Sequence, residues 1–255
     1  MEKRGNSMYI NDVSIFAYIV AAVLGAISGQ ISDILNYLLP KHKKIFSITS
    51  IKEYFKSFTP KYILMLINIL VYIIVLYRYG LNDVNTIKYM VLTPLLTSAF
   101  YIDYKMQIIP NRLTMTIFEI GLVFAFVHGI ININVAISMF EGLIAGCLIF
   151  LLITVVGGMI FGKETMGFGD VKLMAALGLY FGFQGIIAVA ILSFLVAAIF
   201  SIGLLIVQKI RHKDLIEYIA FGPFIVIASF LVMFIPLEIL IILPFVLFSF
   251  GKYKI

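Results

Sequence analysis

Apolar residues in this chain come in long continuous runs, without the strict alternation of a strand or the narrow stripe of a surface helix. The runs cover 13 to 39, 62 to 79, 87 to 102, 113 to 130, 135 to 161, 171 to 183, 185 to 208, 218 to 235 and 237 to 250. A helix needs roughly 20 mostly apolar residues to cross a bilayer, and helices satisfy their own backbone hydrogen bonds in lipid. The pattern therefore predicts an all-α polytopic membrane protein with eight to nine transmembrane helices. The stretches starting at Thr86, Val171 and Leu237 are short enough to be re-entrant, tilted or pressed against neighbours, and Pro244 predicts a kink in the last.

Composition sharpens the class. Of the 255 residues 62% are hydrophobic and 13% charged, against about 45–50% and about 25% in soluble domains. That leaves no room for a large extramembrane module. Met1 to Asp12 is polar and the first run is too long for a signal-peptide core, so a retained first span is expected. The organisation expected is a membrane segment over 1–85, with a short basic loop at about 40–61, followed by a membrane domain over 86–255.

The net charge of +6 does not point to nucleic acid, because the basic residues flank apolar runs instead of lining one face. With the N-terminus out and the C-terminus in, 15 of the 19 lysines and arginines fall on the inner side. That is the bias cytoplasmic loops carry. The loop between Pro40 and Pro60 mixes aromatic and aliphatic residues with lysines, and suits an amphipathic segment on anionic lipid or a short solvated loop.

Acids at membrane depth are costly and usually face protein or water. Asp33, Asp103, Glu119, Glu141, Asp170 and Glu238 lie in or beside the runs. Asp103 ends the third run, and Asp170 closes Gly167-Phe-Gly169-Asp170 just before another; both fall on the predicted inner face. Singly, each has a structural explanation: Asp170 as a helix N-cap, Asp103 as a boundary charge beside Lys105.

Taken together they make a different chemistry available. Two carboxyls at one place share a proton, so one acts as base on water while the other polarises a carbonyl. Gly167 and Gly169 permit backbone torsions and close approaches that other residues do not. Pro110 and Asn111 read as the break and cap that start the next helix at about Leu113. Lys105, Arg112, Lys163 and Lys172 bias the carboxyls electrostatically or anchor the surface. Glu119 and Glu141 read as a proton path or as interhelical hydrogen bonds, Gly142 and Gly146 as a packing signal, and Cys147 as a small core residue. A lone cysteine excludes a disulfide framework and a cysteine zinc site.

Gly162-Lys-Glu-Thr-Met-Gly-Phe-Gly-Asp-Val-Lys-Leu-Met-Ala-Ala-Leu-Gly178 resembles, over its whole length, the second aspartate motif of the type IV prepilin peptidases, membrane aspartic proteases of the Gly-x-Gly-Asp group. Asp103 through Asn111 is similar to the first motif, and Ala220-Phe-Gly-Pro-Phe224 to a segment near the family's C-terminus. The resemblance implies Asp103 and Asp170 as the catalytic pair, with Gly167, Gly169, Lys105, Pro110, Asn111, Lys163, Glu164 and Lys172 supporting the site. It implies a multi-pass protein of the bacterial cytoplasmic membrane that cuts the short basic leader of prepilin or pseudopilin precursors, with no metal or other cofactor for proteolysis.

Many members also methylate the new N-terminus with S-adenosylmethionine and carry paired cysteines in the first cytoplasmic loop. This loop has none. Gly29 to Pro40 resembles the segment before it, with Asp33 where Asn is usual and Leu38 where Arg is usual, which leaves methylation and its cofactor in question. Two other readings stand beside the protease: a proton- or cation-coupled small transporter, and an inactive scaffold of a secretion apparatus. Lipid is an expected partner and nucleic acid is not; the sequence sets no oligomeric state.

Overall fold

The computed structural model describes residues 9–10, 13–40, 54, 62–162, 166–211 and 219–240. Apart from a two-residue antiparallel ladder pairing Tyr9 with Ser14 and Ile10 with Val13, the described chain is helical. The helices are α1 (Ile15–Leu38), α2 (Tyr62–Tyr79), α3 (Val84–Met106), α4 (Asn111–Ile131), α5 (Ile133–Phe161), α6 (Phe168–Arg211) and α7 (Gly222–Phe234). Among them α1, α2, α4, α5 and α6 are long and apolar enough to cross a membrane, which fits a multi-pass membrane protein. The basic loop at 40–61 lies outside the described residues except Pro40 and Tyr54, and so does all of the last expected run beyond Leu240.

The chain divides into two compact units, Met1–Ile102 and Asp103–Ile255. In the first, α1 lies against α2 so closely that a Cβ at Gly25 would come within 2.7 Å of the Ile69 Cα, and one at Gly29 within 2.5 Å of the Met65 Cα. Beside these glycines runs a buried polar seam. Ser28 Oγ donates to Asn68 Oδ1 at 3.0 Å, and Ser32 Oγ meets Thr97 Oγ1 at 2.9 Å and the Pro94 carbonyl at 3.0 Å. In an apolar solvent such contacts tie helices together, because each group unmatched would remain desolvated.

Pro94 stands inside α3, where it lacks the N–H that would bond the carbonyl four residues back. That carbonyl belongs to Met90, and Tyr72 Oη of α2 donates to it at 2.8 Å. Tyr72→Phe therefore leaves a carbonyl in apolar surroundings without its donor. It is expected to cost about 1–3 kcal/mol, read as an earlier midpoint in denaturant titration of the protein in detergent.

In the second unit α5 and α6 form the core. α6 is broken at Gly182, with φ of 67° and ψ of −176°, and the contacts reverse across the break. Met174, Gly178 and Gly182 run down α5 past Gly146, Gly142 and Ser138, after which Ile186 returns to Gly146 and Phe194 to Phe150. α6 is thus two arms, 168–181 and 183–211, folded back on each other with one residue as the turn. Glycine is required there because its φ is positive, and Ser138 Oγ accepts the Phe183 N–H at 3.2 Å. The reversal agrees with the two separate runs in the sequence. The first arm is roughly 21 Å long at 1.5 Å per residue, and Leu173, Met174, Leu177, Leu179 and Tyr180 are each almost wholly buried. Neighbouring helices, and not lipid, surround it.

Candidate active site

Asp103 and Asp170 are both in the second unit. Asp103 lies one turn before the end of α3, where Gln107 adopts a left-handed conformation (φ 54°) and its N–H bonds the Asp103 carbonyl at 2.8 Å. That reversal sends Gln107 to Pro110 away from the helix axis. Asp170 is the third residue of α6, which begins at Phe168. It is therefore inside the first turn instead of at the N-cap, and its N–H donates to the Gly167 carbonyl at 3.1 Å.

Both carboxyls are buried, at 4% exposure for Asp103 and 7% for Asp170. The Gly222 N–H donates to Asp103 Oδ2 at 2.9 Å, across 119 residues of sequence. Ile109 links this contact to the second aspartate: a Cβ built on Gly222 would lie 3.2 Å from Ile109 Cδ1, and one on Gly169 would lie 3.1 Å from Ile109 Cβ. Asp103 is near enough for its charge to act on Asp170. Gly169 thus has a steric reason: a side chain there would push against Ile109 and displace the turn that carries Asp170.

The surrounding residues are placed as follows. Pro110 takes the N-cap position of α4 without a side-chain cap, and α4 starts at Asn111, two residues before the expected Leu113. Asn111 accepts a bond from Lys172 Nζ at 2.9 Å, which ties the start of α4 to the first turn of α6. Tyr180 Oη, donating to the Ile117 carbonyl at 2.9 Å, repeats that tie two turns further along. Lys105 is exposed and Gly167 lies beside the Asp170 carboxyl. Lys163 and Glu164 lie outside the described residues. Glu119 and Glu141 are exposed on α4 and α5, apart from the two aspartates. Among the described residues no three His, Cys, Asp or Glu side chains group as ligands for a metal ion.

Two contributors were not legible as such in the sequence. Ile109 was an ordinary apolar residue before Pro110, and Gly222 belonged to a Phe-Gly-Pro run with no evident partner. The sign available for Gly222 was a helix-start signature, proline in the first turn, which announces unsatisfied N–H groups but not what they meet. An aromatic cluster holds that helix start in place. Phe221 lies 5.0 Å from Phe194 and 5.9 Å from Phe150 between ring centroids, and Phe224 lies 5.4 Å from Phe200.

With this geometry in view, the comparisons with known proteins bear on the same stretch. Residues 90–202 match the model of the type IV leader peptidase family, a segment that includes both aspartates. A prepilin leader peptidase/N-methyltransferase of Aeromonas salmonicida strain A449 is 35% identical over 147 residues, 58% of this chain and 48% of that protein. Proteins of the same name from Escherichia coli K12 and Neisseria gonorrhoeae are each 30% identical, over 148 and 159 residues. These cover 54% and 62% of this chain, and 63% and 52% of theirs. The chain spans about half the length of the curated Aeromonas relatives it matches. No solved structure matches it. Residues 90–202, the stretch that holds both aspartates, are thus similar to the type IV leader peptidase family.

Proposed function

We propose that this chain is an aspartic endopeptidase that removes the short basic leader from type IV prepilin or pseudopilin precursors at the cytoplasmic face of a bacterial inner membrane, with Asp103 and Asp170 as its catalytic pair. The observation that carries the reading is the burial of these two carboxyls around Ile109, near enough for one charge to act on the other, inside the family-matched segment. Nine crossings with the N-terminus outside would put both acids at the inner face, and the excess of lysine and arginine on that side supports the orientation.

The chemistry follows from one shared proton. One carboxylate takes a proton from water as the water oxygen bonds to the scissile carbonyl carbon. The other, protonated, donates its hydrogen to the carbonyl oxygen. Collapse of the tetrahedral intermediate breaks the C–N bond, a proton passes to the leaving amine, and a carboxylic acid and an amine are released. Gly167 carries no side chain beside the Asp170 carboxyl, so an extended substrate backbone can approach it there. Lys172 and Asn111 hold the two helix starts together, and Lys105 supplies positive charge at the lipid boundary.

Purified protein in liposomes, incubated with a precursor peptide, is expected to yield a peptide shortened by the leader. An intact precursor with measurable proton or cation flux would instead favour a transporter, and neither activity would leave a scaffold. The segment 40–61 contains no cysteine, so a zinc chelator is expected to leave the cleavage rate unchanged. Inhibition that added zinc reverses would contradict this. The relatives' name includes N-methyltransferase; the mass of the cleaved product with and without S-adenosylmethionine reads that activity separately.

A further inference from the structure

We infer that the two aspartates are not equivalent: the start of α7, acting through the Gly222 N–H, holds Asp103 as the ionised base, and Asp170 carries the shared proton on Oδ1. This rests on the proposed proteolytic pair and adds Gly222 as a positioning residue.

The first N–H groups of a helix have no partner within it. In α7 the Phe224 and Ile225 N–H groups bond the Phe221 carbonyl at 3.0 and 3.4 Å, and Pro223 has no N–H. Phe221 offers no side-chain cap. Gly222 is left as the donor for an outside acceptor, and Asp103 Oδ2 takes it at 2.9 Å. The carboxyl at the end of α3 is in effect the cap of α7, at the end of a helix where partial positive charge favours an anion. A charge-assisted bond to a backbone N–H stabilises the ionised carboxylate over the neutral acid.

Asp170 has matching features up to a point. It stands in the first turn of its own helix, with its carboxyl beside Gly167. The difference lies in its second oxygen. Asp170 Oδ1 is buried with no hydrogen-bond partner, whereas neither oxygen of Asp103 is both buried and unpartnered. A carboxylate oxygen in that condition bears charge with no donor to meet it, the costly state for a buried anion. Placing the proton there removes the charge and leaves an O–H directed at whatever acceptor arrives. In the proposed reaction that acceptor is the scissile carbonyl oxygen, and Asp103 takes the proton from water.

The absence of a side chain at Gly222 belongs to the same device. A Cβ there would lie 2.5 Å from Asp103 Oδ2 and 3.0 Å from its Cγ, so any other residue would push the carboxylate off the N–H. Among the described residues the other charged groups about the pair are Lys105, exposed just beyond Asp103 on α3, Arg112, exposed at the start of α4, and Lys172, whose Nζ is bonded to Asn111. None takes the place of Gly222 as the donor to Asp103 Oδ2.

Infrared difference spectroscopy of the full chain in liposomes at neutral pH reads which carboxyl is protonated. The carboxylic C=O band is expected to disappear in Asp170→Asn and to persist in Asp103→Asn. Adding Gly222→Ala to Asp170→Asn should bring a protonated carboxyl band back, now from Asp103. A band lost in Asp103→Asn and kept in Asp170→Asn would overturn the assignment, even if the Gly222 variant does not fold. Such a reversal would leave the protease reading intact, since leader cleavage by the unaltered protein tests that reading independently.

Discussion

Asp103→Asn and Asp170→Asn are each expected to lower leader cleavage by about 10³-fold or more while leaving the protein folded in the membrane. General acid–base groups contribute about 10²–10⁴-fold each, and residues that act as a unit lose nearly everything when either is removed. Asparagine keeps the size of the side chain but can neither take a proton from water nor hold the shared one. The fold should tolerate both changes. At 103 the amide oxygen can still accept from Gly222 at the observed 2.9 Å, and at 170 an amide N–H₂ or oxygen replaces an oxygen that has no partner. Processing in membranes by immunoblot, with protein level and heat stability measured on the same samples, separates lost chemistry from lost structure. Near-normal processing by either variant would remove that aspartate from the mechanism.

Gly178→Ala is expected to have the largest effect on the fold. The α5–α6 seam brings backbone against backbone, and a Cβ at Gly178 would overlap the carbonyl carbon and oxygen of Gly142 and the amide nitrogen of Leu143. Gly142 is in the reciprocal position, with its own added Cβ only 2.6 Å from the Gly178 oxygen. Neither contact is the end of a flexible side chain, so the helices themselves must separate. Overpacking of a close-packed core costs about 1–3 kcal/mol and sometimes more, and with both partners main chain the upper end is expected. Cys147 is the single cysteine; it follows Gly146 on α5 and is half-buried, so it reports on the seam. A membrane-permeant thiol reagent should label it faster in Gly178→Ala than in the unaltered protein. Gly203→Ala, where nothing lies within 4 Å, should not change the rate. Equal labelling and stability in the two variants would contradict the packing described.

Helix existence was written plainly in the chain, because in lipid an apolar run of sufficient length has few other stable conformations. The reversal in α6 was legible as well, since the runs 171 to 183 and 185 to 208 meet beside Gly182, the residue that makes the turn. What the runs do not encode is the first residue of a helix. Asp170 matched the signature of an N-cap, yet α6 begins two residues earlier at Phe168, since Gly167 and not Asp170 provides the turn. The start of α4, expected at about Leu113, lies two residues earlier at Asn111, as Pro110 and not Asn111 occupies the cap position.

The candidate site was readable as residue types but not as an assembly. Asp103 and Asp170 stood out because ionisable groups are rare in such a composition. Their surroundings depend on contacts with no local signature: the Gly222 N–H reaching across 119 residues, and Ile109 resting between two glycines. Pro94 with Tyr72 is a case of the same kind in the first unit. The proline announces a missing bond at Met90, but only the packing of α2 on α3 shows which hydroxyl replaces it.

The most direct test of the central claim is a double-variant cycle on cleavage of one cognate precursor, using Asp103→Asn, Asp170→Asn and the two combined in purified, reconstituted protein. If the carboxyls act on one water as a unit, the combined variant is no slower than either single one, and all three share the same residual rate. Losses that multiply from the single variants to the combined one, or a single variant that still cleaves at the rate of the unaltered protein, would show that the two acids do not share a reaction.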